Sequence, residues 1–289
     1  MDFKHGQELL TLCEENNCAI SEIMIRREID CAETDRETVM AKMHRAFDIM
    51  KKGAHSAIEN PKKSMGGLIG GESAKIMQAY NKEKSACGNL ITKGIAYAMG
   101  VLEVNAGMGL IVAAPTAGSA GVVPGTLLAL QEEYNFTDDE IVNALFNAGA
   151  LGYLAMRNAT VAGAVGGCQA EVGMAAAMAA SAAVELLGGT PSQCLGAAST
   201  VLMNMLGLAC DPVGGLVEYP CQNRNAAGVA NALVAAEISL AGVPQLIPFD
   251  EMLEIMYKVG KNLPVELRET ALGGCAVSPS ACAACTACK

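Results

Sequence analysis

The sequence contains no tryptophan, only 4% aromatic residues and three histidines, His5, His44 and His55. No cluster of lysine and arginine carries interleaved aromatics, and the formal net charge is −10. Nucleic acids and anionic membranes are bound by positive patches, so neither is expected as the main partner. The N-terminus, with Asp2, Lys4 and His5, lacks the apolar segment of a signal peptide. The Ala/Gly/Met-rich run over 161–189 is broken by Glu171 and Glu185, so it reads as a tightly packed core helix and not as a membrane span. These absences place the chain in a reducing cytoplasm, where its twelve cysteines are ligands or buried thiols and not disulfides.

Charge is unevenly spread. Residues 1–63 hold 22 of the 50 charged side chains, whereas Arg157, Glu171, Glu185, Asp211 and Glu218 are the only ones between 141 and 223. The C-terminal two-thirds is therefore the buried part. Residues 1–60 read as an N-terminal helical segment, 61–275 as the main body and 276–289 as a mobile, Cys-rich tail. Over 7–52, Val39, Met40, Met43, Phe47 and Met50 recur at helical spacing in one or two amphipathic helices, which suit either a docking arm or a layer packed on the core. A helix through about 73–102 follows. Thr137-Asp-Asp-Glu140 is a capping box that predicts a helix from near 138 to about 157. Thr190-Pro-Ser-Gln193 repeats the device, with Pro191 at the first helical position and Gly207 after the last turn. Asp250 is expected to cap a helix through about 260.

Two loops of small residues suit an anion. Ser64-Met-Gly-Gly-Leu-Ile-Gly-Gly-Glu72 can present the amides around Ser64, Gly66 and Gly67 at close range, although no Gly-Lys-Ser/Thr follows and no strand clearly precedes it. Asn105 leads to Ala114-Pro-Thr-Ala-Gly-Ser-Ala-Gly121, where the Thr116 and Ser119 hydroxyls stand beside the amides of Ala117 and Gly118. Each loop taken alone is equally a plain turn between helices. Arg224 is an isolated cation in an apolar region, placed either on a functional anion or in a surface salt bridge.

The cysteines supply the remaining chemistry. Cys210-Asp-Pro-Val-Gly-Gly-Leu-Val-Glu-Tyr-Pro-Cys221 is a stiff loop closed by two of them, and Cys168 lies in a Gly-Gly-Cys-Gln turn that opens an Ala-rich helix. Spacing alone leaves buried free thiols, a zinc site and an iron–sulfur cluster open. Cys282, Cys285 and Cys288 have the spacing of the first three cysteines of a bacterial ferredoxin run, yet the fourth cysteine and its proline are missing.

Ser64-Met-Gly-Gly-Leu, Pro115-Thr-Ala-Gly-Ser, Gly167-Cys-Gln-Ala-Glu-Val-Gly, Cys210-Asp-Pro-Val-Gly-Gly, Pro220-Cys and Arg268-Glu-Thr-Ala-Leu-Gly-Gly occur in that order. In them the chain resembles the α chain of the iron–sulfur-dependent bacterial L-serine dehydratases over roughly residues 20–275. The resemblance implies an all-α fold: a Gly/Ala-rich helical catalytic domain over 61–275 with cluster ligands in loops and at helix ends. It implies a [4Fe–4S] cluster on Cys168, Cys210 and Cys221, deamination of L-serine to pyruvate and ammonia, and no pyridoxal phosphate. Ser64, Gly66, Gly67, Asn105, Thr116, Ala117, Gly118, Ser119 and Arg224 are the candidate substrate contacts. Family members carry the proposed base, a histidine in Ser-Ser-Ser-His-Thr, on a second chain or a fused domain, and that motif is missing here. The base is therefore expected from a β chain in a hetero-oligomer. In fused members a C-terminal cysteine occupies the open iron, which makes Cys288 a candidate fourth ligand. Cysteine desulfidation and threonine deamination on the same cluster are the neighbouring activities, and a redox sensor or electron carrier is the alternative of another class.

Overall fold

The structure, a computed structural model, describes residues 1–80 and 85–285, and among them every regular element is helical apart from one isolated bridge between Cys210 and Arg268. The expected all-α class holds. Three helices, α1 (Gly6–Asn16), α2 (Ile20–Ala32) and α3 (Arg36–Glu59), occupy the stretch expected to hold one or two. The breaks are backbone events, because Asn17 and Glu33 take left-handed φ values of 46° and 48° that no continuing helix tolerates. Asp35 restarts the chain by accepting from the Thr38 amide at 2.8 Å. Leu9, Ile23, Phe47 and Met50 of these helices belong to the same buried cluster as the rest of the molecule, so the N-terminal region is a packed layer.

The single helix expected over 73–102 is instead α4 (Glu72–Tyr80) followed by α5 (Gly88–Ala106), and Gly88 at φ 66° marks the restart. α6 (Val122–Tyr134) crosses α5 with backbone against backbone. A Cβ on Gly125 would lie 2.8 Å from the Gly94 carbonyl, and one on Gly121 would strike the Ala98 carbonyl, so only glycine allows this approach.

α7 (Asp138–Asn158), the short α8 (Gly163–Gly166), α9 (Met174–Leu186), α10 (Pro191–Asn204) and α11 (Cys221–Leu240) complete the core. α7 and α10 start at the expected residues, each with both capping-box hydrogen bonds formed. Every residue from Met174 to Val184 is buried, and α9 packs against α6, α7, α10 and α11. Its alanines carry little volume, so four helices close around it, and dispersion contacts substitute for long side chains. α9 is thus the fixed axis of the fold.

α12 (Phe249–Asn262) and α13 (Pro279–Ala284) end the chain as described. Asp250 does not cap its own helix, whose N-cap is Pro248. Its carboxylate reaches across to accept from the Gly6 and Gln7 amides at 2.7 and 3.1 Å, and so caps α1. Asp250→Ala is expected to cost about 1 kcal/mol of unfolding free energy, with hydrogen exchange accelerated at Gly6 and Gln7 and unchanged along α12.

Candidate functional site

Cys168 stands where two elements meet. Gly167 before it has φ 76°, in the left-handed region, and Gln169–Gly173 after it form a π turn that runs into α9. Such turns widen the helix locally and are common at functional sites. The Gln169 side chain holds this one in place, accepting from the Gly207 amide at 2.8 Å and donating to the Gly166 and Met256 carbonyls at 2.9 Å each. Cys210 is fixed by backbone pairing with the Arg268 segment: its N–H donates to Leu267 at 2.8 Å and its carbonyl accepts from Glu269 at 2.7 Å. Cys221 is the first residue of α11. All three sulfurs belong to buried residues.

Around them gather groups that sequence patterns did not mark. The Glu171 carboxylate accepts from the thiols of Cys210 at 3.6 Å and Cys168 at 4.0 Å, and from the Thr116 hydroxyl at 3.0 Å. One ligand atom from each of Cys168, Glu171 and Cys210 lies within 4.8 Å of the others, a set able to hold a metal ion. Cys221 stands outside that close set but within electrostatic reach of Cys168 and Glu171. Arg224 Nη1 donates to the Ala209 carbonyl at 2.8 Å and to Cys168 Sγ at 3.5 Å, and lies 2.7 Å from Asp211 Oδ1. Arg224 is thus a half-buried ion-pair partner of the buried Asp211 at the cysteine site.

Burial and crowding set the protonation of this group. Burial, followed by the charge of Glu269, raises the Glu171 carboxyl above its ordinary value. Hydrogen bonding with Cys168 and then burial push the Cys210 thiol far up, and burial lifts Cys221 to about 12. Thiols in this state keep their protons, which any metal bound here would have to displace. The donor set of Cys168, Cys210 and Glu171, with Cys221 and one cation nearby, suits a thiophilic metal.

The two anion loops attach to one helix end. Met65 N donates to the Ala106 carbonyl at 3.0 Å, and Asn105 Nδ2 donates to the Ala117 carbonyl at 3.2 Å, so both loops hang from the end of α5. Asn225, on α11, donates to the Gly118 carbonyl at 2.8 Å and the Cys221 carbonyl at 2.9 Å, tying the Thr116 loop to the cysteine. In the Ser64 loop, Gly66 N and Leu68 N donate to Glu218 at 2.6 and 3.0 Å, while Ser64 Oγ accepts from Ile69 N at 3.3 Å. Gly67 takes φ 75° and donates to the Ser64 carbonyl at 3.1 Å. Of the amides expected to cradle a substrate carboxylate, that of Gly66 already holds the protein's own, and those of Ser64 and Gly67 donate to the Ile69 and Ser64 carbonyls.

Glu171, Asp211 and Glu218 are three of the five charged residues between 141 and 223, and that scarcity was the signal available for finding them. Asp211 also accepts from the Cys275 amide at 2.6 Å, which anchors the C-terminal segment to the cysteine loop. Cys285 is 2% exposed, whereas Cys288 lies outside the described residues. His44 pairs with Asp139 at 2.9 Å and His55 Nδ1 with the Lys51 carbonyl at 2.8 Å, partners that belong to the N-terminal layer and α7.

Fold and site together define an all-helical protein in which two buried thiols and a half-buried carboxylate are placed so that they could hold a metal ion, beside two glycine-rich loops. A family model described as the serine dehydratase alpha chain matches residues 15–276, and the chain belongs to that family. It is 45% identical to the probable L-serine dehydratase, alpha chain, of Bacillus subtilis over 96% of this chain and 92% of that one. To the L-serine dehydratase, alpha chain, of Peptoniphilus asaccharolyticus it is 43% identical over 94% of each. It is also 35% identical to the longer L-serine dehydratase of Streptomyces coelicolor, over 97% of this chain and 62% of that protein. No helix among the described residues is long and apolar enough to cross a membrane.

Gly163 offers a test of how tightly this site is packed, because a Cβ there would strike the Glu171 carboxylate and lie 2.9 Å from Cys210 Sγ. Gly163→Ala is expected to lower unfolding free energy by about 1–3 kcal/mol. Adding Glu171→Ala removes one of the two clashes, so chemical denaturation of the double variant should show part of that loss recovered.

Proposed function

We propose that this chain is the α subunit of a [4Fe–4S]-dependent L-serine dehydratase, which with a β chain converts L-serine to pyruvate and ammonia in the cytoplasm. The observation that carries the proposal is the convergence of Cys168, Cys210, Cys221 and Glu171 with both small-residue loops at the start of α11 and the end of α5. A four-iron cluster would be held by Cys168, Cys210 and Cys221, and when bound it would supply the Lewis acidity that eases departure of the serine hydroxyl. Loss of that hydroxyl and of the Cα proton leaves an enamine, which tautomerises to an imine and hydrolyses to pyruvate and ammonia.

The chain's own residues supply binding. Since Glu218 occupies the Gly66 and Leu68 amides, the substrate carboxylate falls to the Thr116–Ser119 loop, whose Thr116 and Ser119 hydroxyls lie 3.1 Å apart. Ser64 uses its oxygen as an acceptor, which leaves its O–H to donate. Arg224, paired to Asp211 and touching Cys168, adds positive potential on the same side. Glu171 is positioned by Thr116 to keep that loop against the cysteines. The proton-abstracting base comes from the β chain.

Anaerobic reconstitution of the chain with iron and sulfide is expected to give about four irons per chain. Cys168→Ala, Cys210→Ala and Cys221→Ala should each lose most of that iron, and L-serine turnover should appear only after the β chain is added. Iron content unchanged in the triple variant overturns the proposal.

A further inference from the structure

We propose that Glu218 is a positioning residue that makes the order of the Ser64–Gly71 loop depend on occupancy of the cysteine site. This rests on the function proposed above in one respect, that Cys168, Cys210 and Cys221 hold a cluster. Glu218 belongs to the Cys210–Cys221 loop and is 2% exposed. Its two carboxylate oxygens take the Gly66 and Leu68 amides, and a Cβ on Gly66 would meet them at 2.8 and 2.9 Å. The far end of the Ser64 loop is held in the same way. Glu103 accepts from Gly71 N and Ser73 N at 2.8 Å each, and also from the Gln222 side chain at 3.0 Å. Glu218 and Gln222 flank Cys221 in sequence and are joined by the Gln222 N–H to Glu218 carbonyl bond of 3.0 Å. Both ends of the substrate loop therefore hang from residues on either side of one cysteine.

A buried carboxylate parted from its donors bears the full cost of desolvation, so the Ser64 loop follows Glu218 when the cysteine loop moves. Without a metal the cysteine loop is braced by short backbone bonds such as Val213 N to the Tyr219 carbonyl at 2.9 Å. Ligation at Cys210 and Cys221 would pin both of its ends and stiffen the stretch between them, where Gly214 and Gly215 take φ values of 64° and 70°. Order at the metal is passed to the loop that meets the substrate.

The amides of Gly66 and Leu68 report this coupling directly. Hydrogen exchange on the full chain, with and without an anaerobically reconstituted cluster, should show their protection rise at least about tenfold on loading. In Glu218→Gln, where an amide N–H faces one of the donors, that gain should fall below about twofold at equal iron content. Glu218→Asp, one methylene shorter, should recover protection at only one of the two amides. Cys221→Ala should stay at the cluster-free level. With the β chain present, Glu218→Gln should raise KM for L-serine more than it lowers kcat. Equal gains in wild type and Glu218→Gln, a loaded wild type whose amides exchange as in the cluster-free chain, or a loss confined to kcat overturn the proposal. Should Glu218→Gln fail to fold, Cys221→Ala decides, since protection there equal to loaded wild type also overturns it. A wild type that takes up no iron overturns the proposed function as well, and the iron count tells the two failures apart.

Discussion

A carboxylate withdrawn from water must be met by donors, and this requirement shapes the part of the molecule where charge is rare. Four buried or half-buried acids meet it in different ways. Glu103 and Glu218 are met by backbone amides of one glycine-rich loop, and Asp211 by Arg224 and the Cys275 amide. Glu171 has a hydroxyl and two thiols. Amides and a guanidinium keep their protons whatever binds nearby, whereas thiols lose theirs to a metal. The first three acids are met by donors that stay protonated, and Glu171 is the one whose own thiol donors a metal would deprotonate.

The same distinction explains what could be read from the sequence. Caps that act within four residues were legible: Thr137 with Glu140 and Thr190 with Gln193 start helices where expected. Cys168 and Cys210, both marked in the sequence, lie together beside Glu171, whereas Cys221 stands outside their close set. What escaped was every pairing across long separations. Asp250 caps a helix 244 residues away, and Glu218 fills a loop 152 residues before it. An acid has no sequence mark that tells which amides it will meet, since that depends on the packing of α5 against α11. The Ser64 loop was legible as an anion cradle, but its occupant was not. The helix breaks differ from each other: Asn17 is a residue that favours a left-handed helix cap and so carries a local signal, whereas Glu33 carries none.

The cysteines sit on walls of unequal stiffness. Cys168 is carried by a π turn continuous with α9, a helix enclosed on all sides by α6, α7, α10 and α11, and Gln169 stitches that turn to three backbone groups. Nothing there can move without opening the core. Cys210 and Cys221 close a loop in which Gly214 and Gly215 take φ values of 64° and 70°, conformations that side chains resist and glycine permits. That loop is held from outside by the Arg268 segment and from inside by Arg224 through Asp211. Of the three thiols, one is therefore fixed by the core and two close a loop whose glycines can adjust. Because the adjustable side also carries Glu218, the less rigid wall of the site is the one that holds the Ser64 loop.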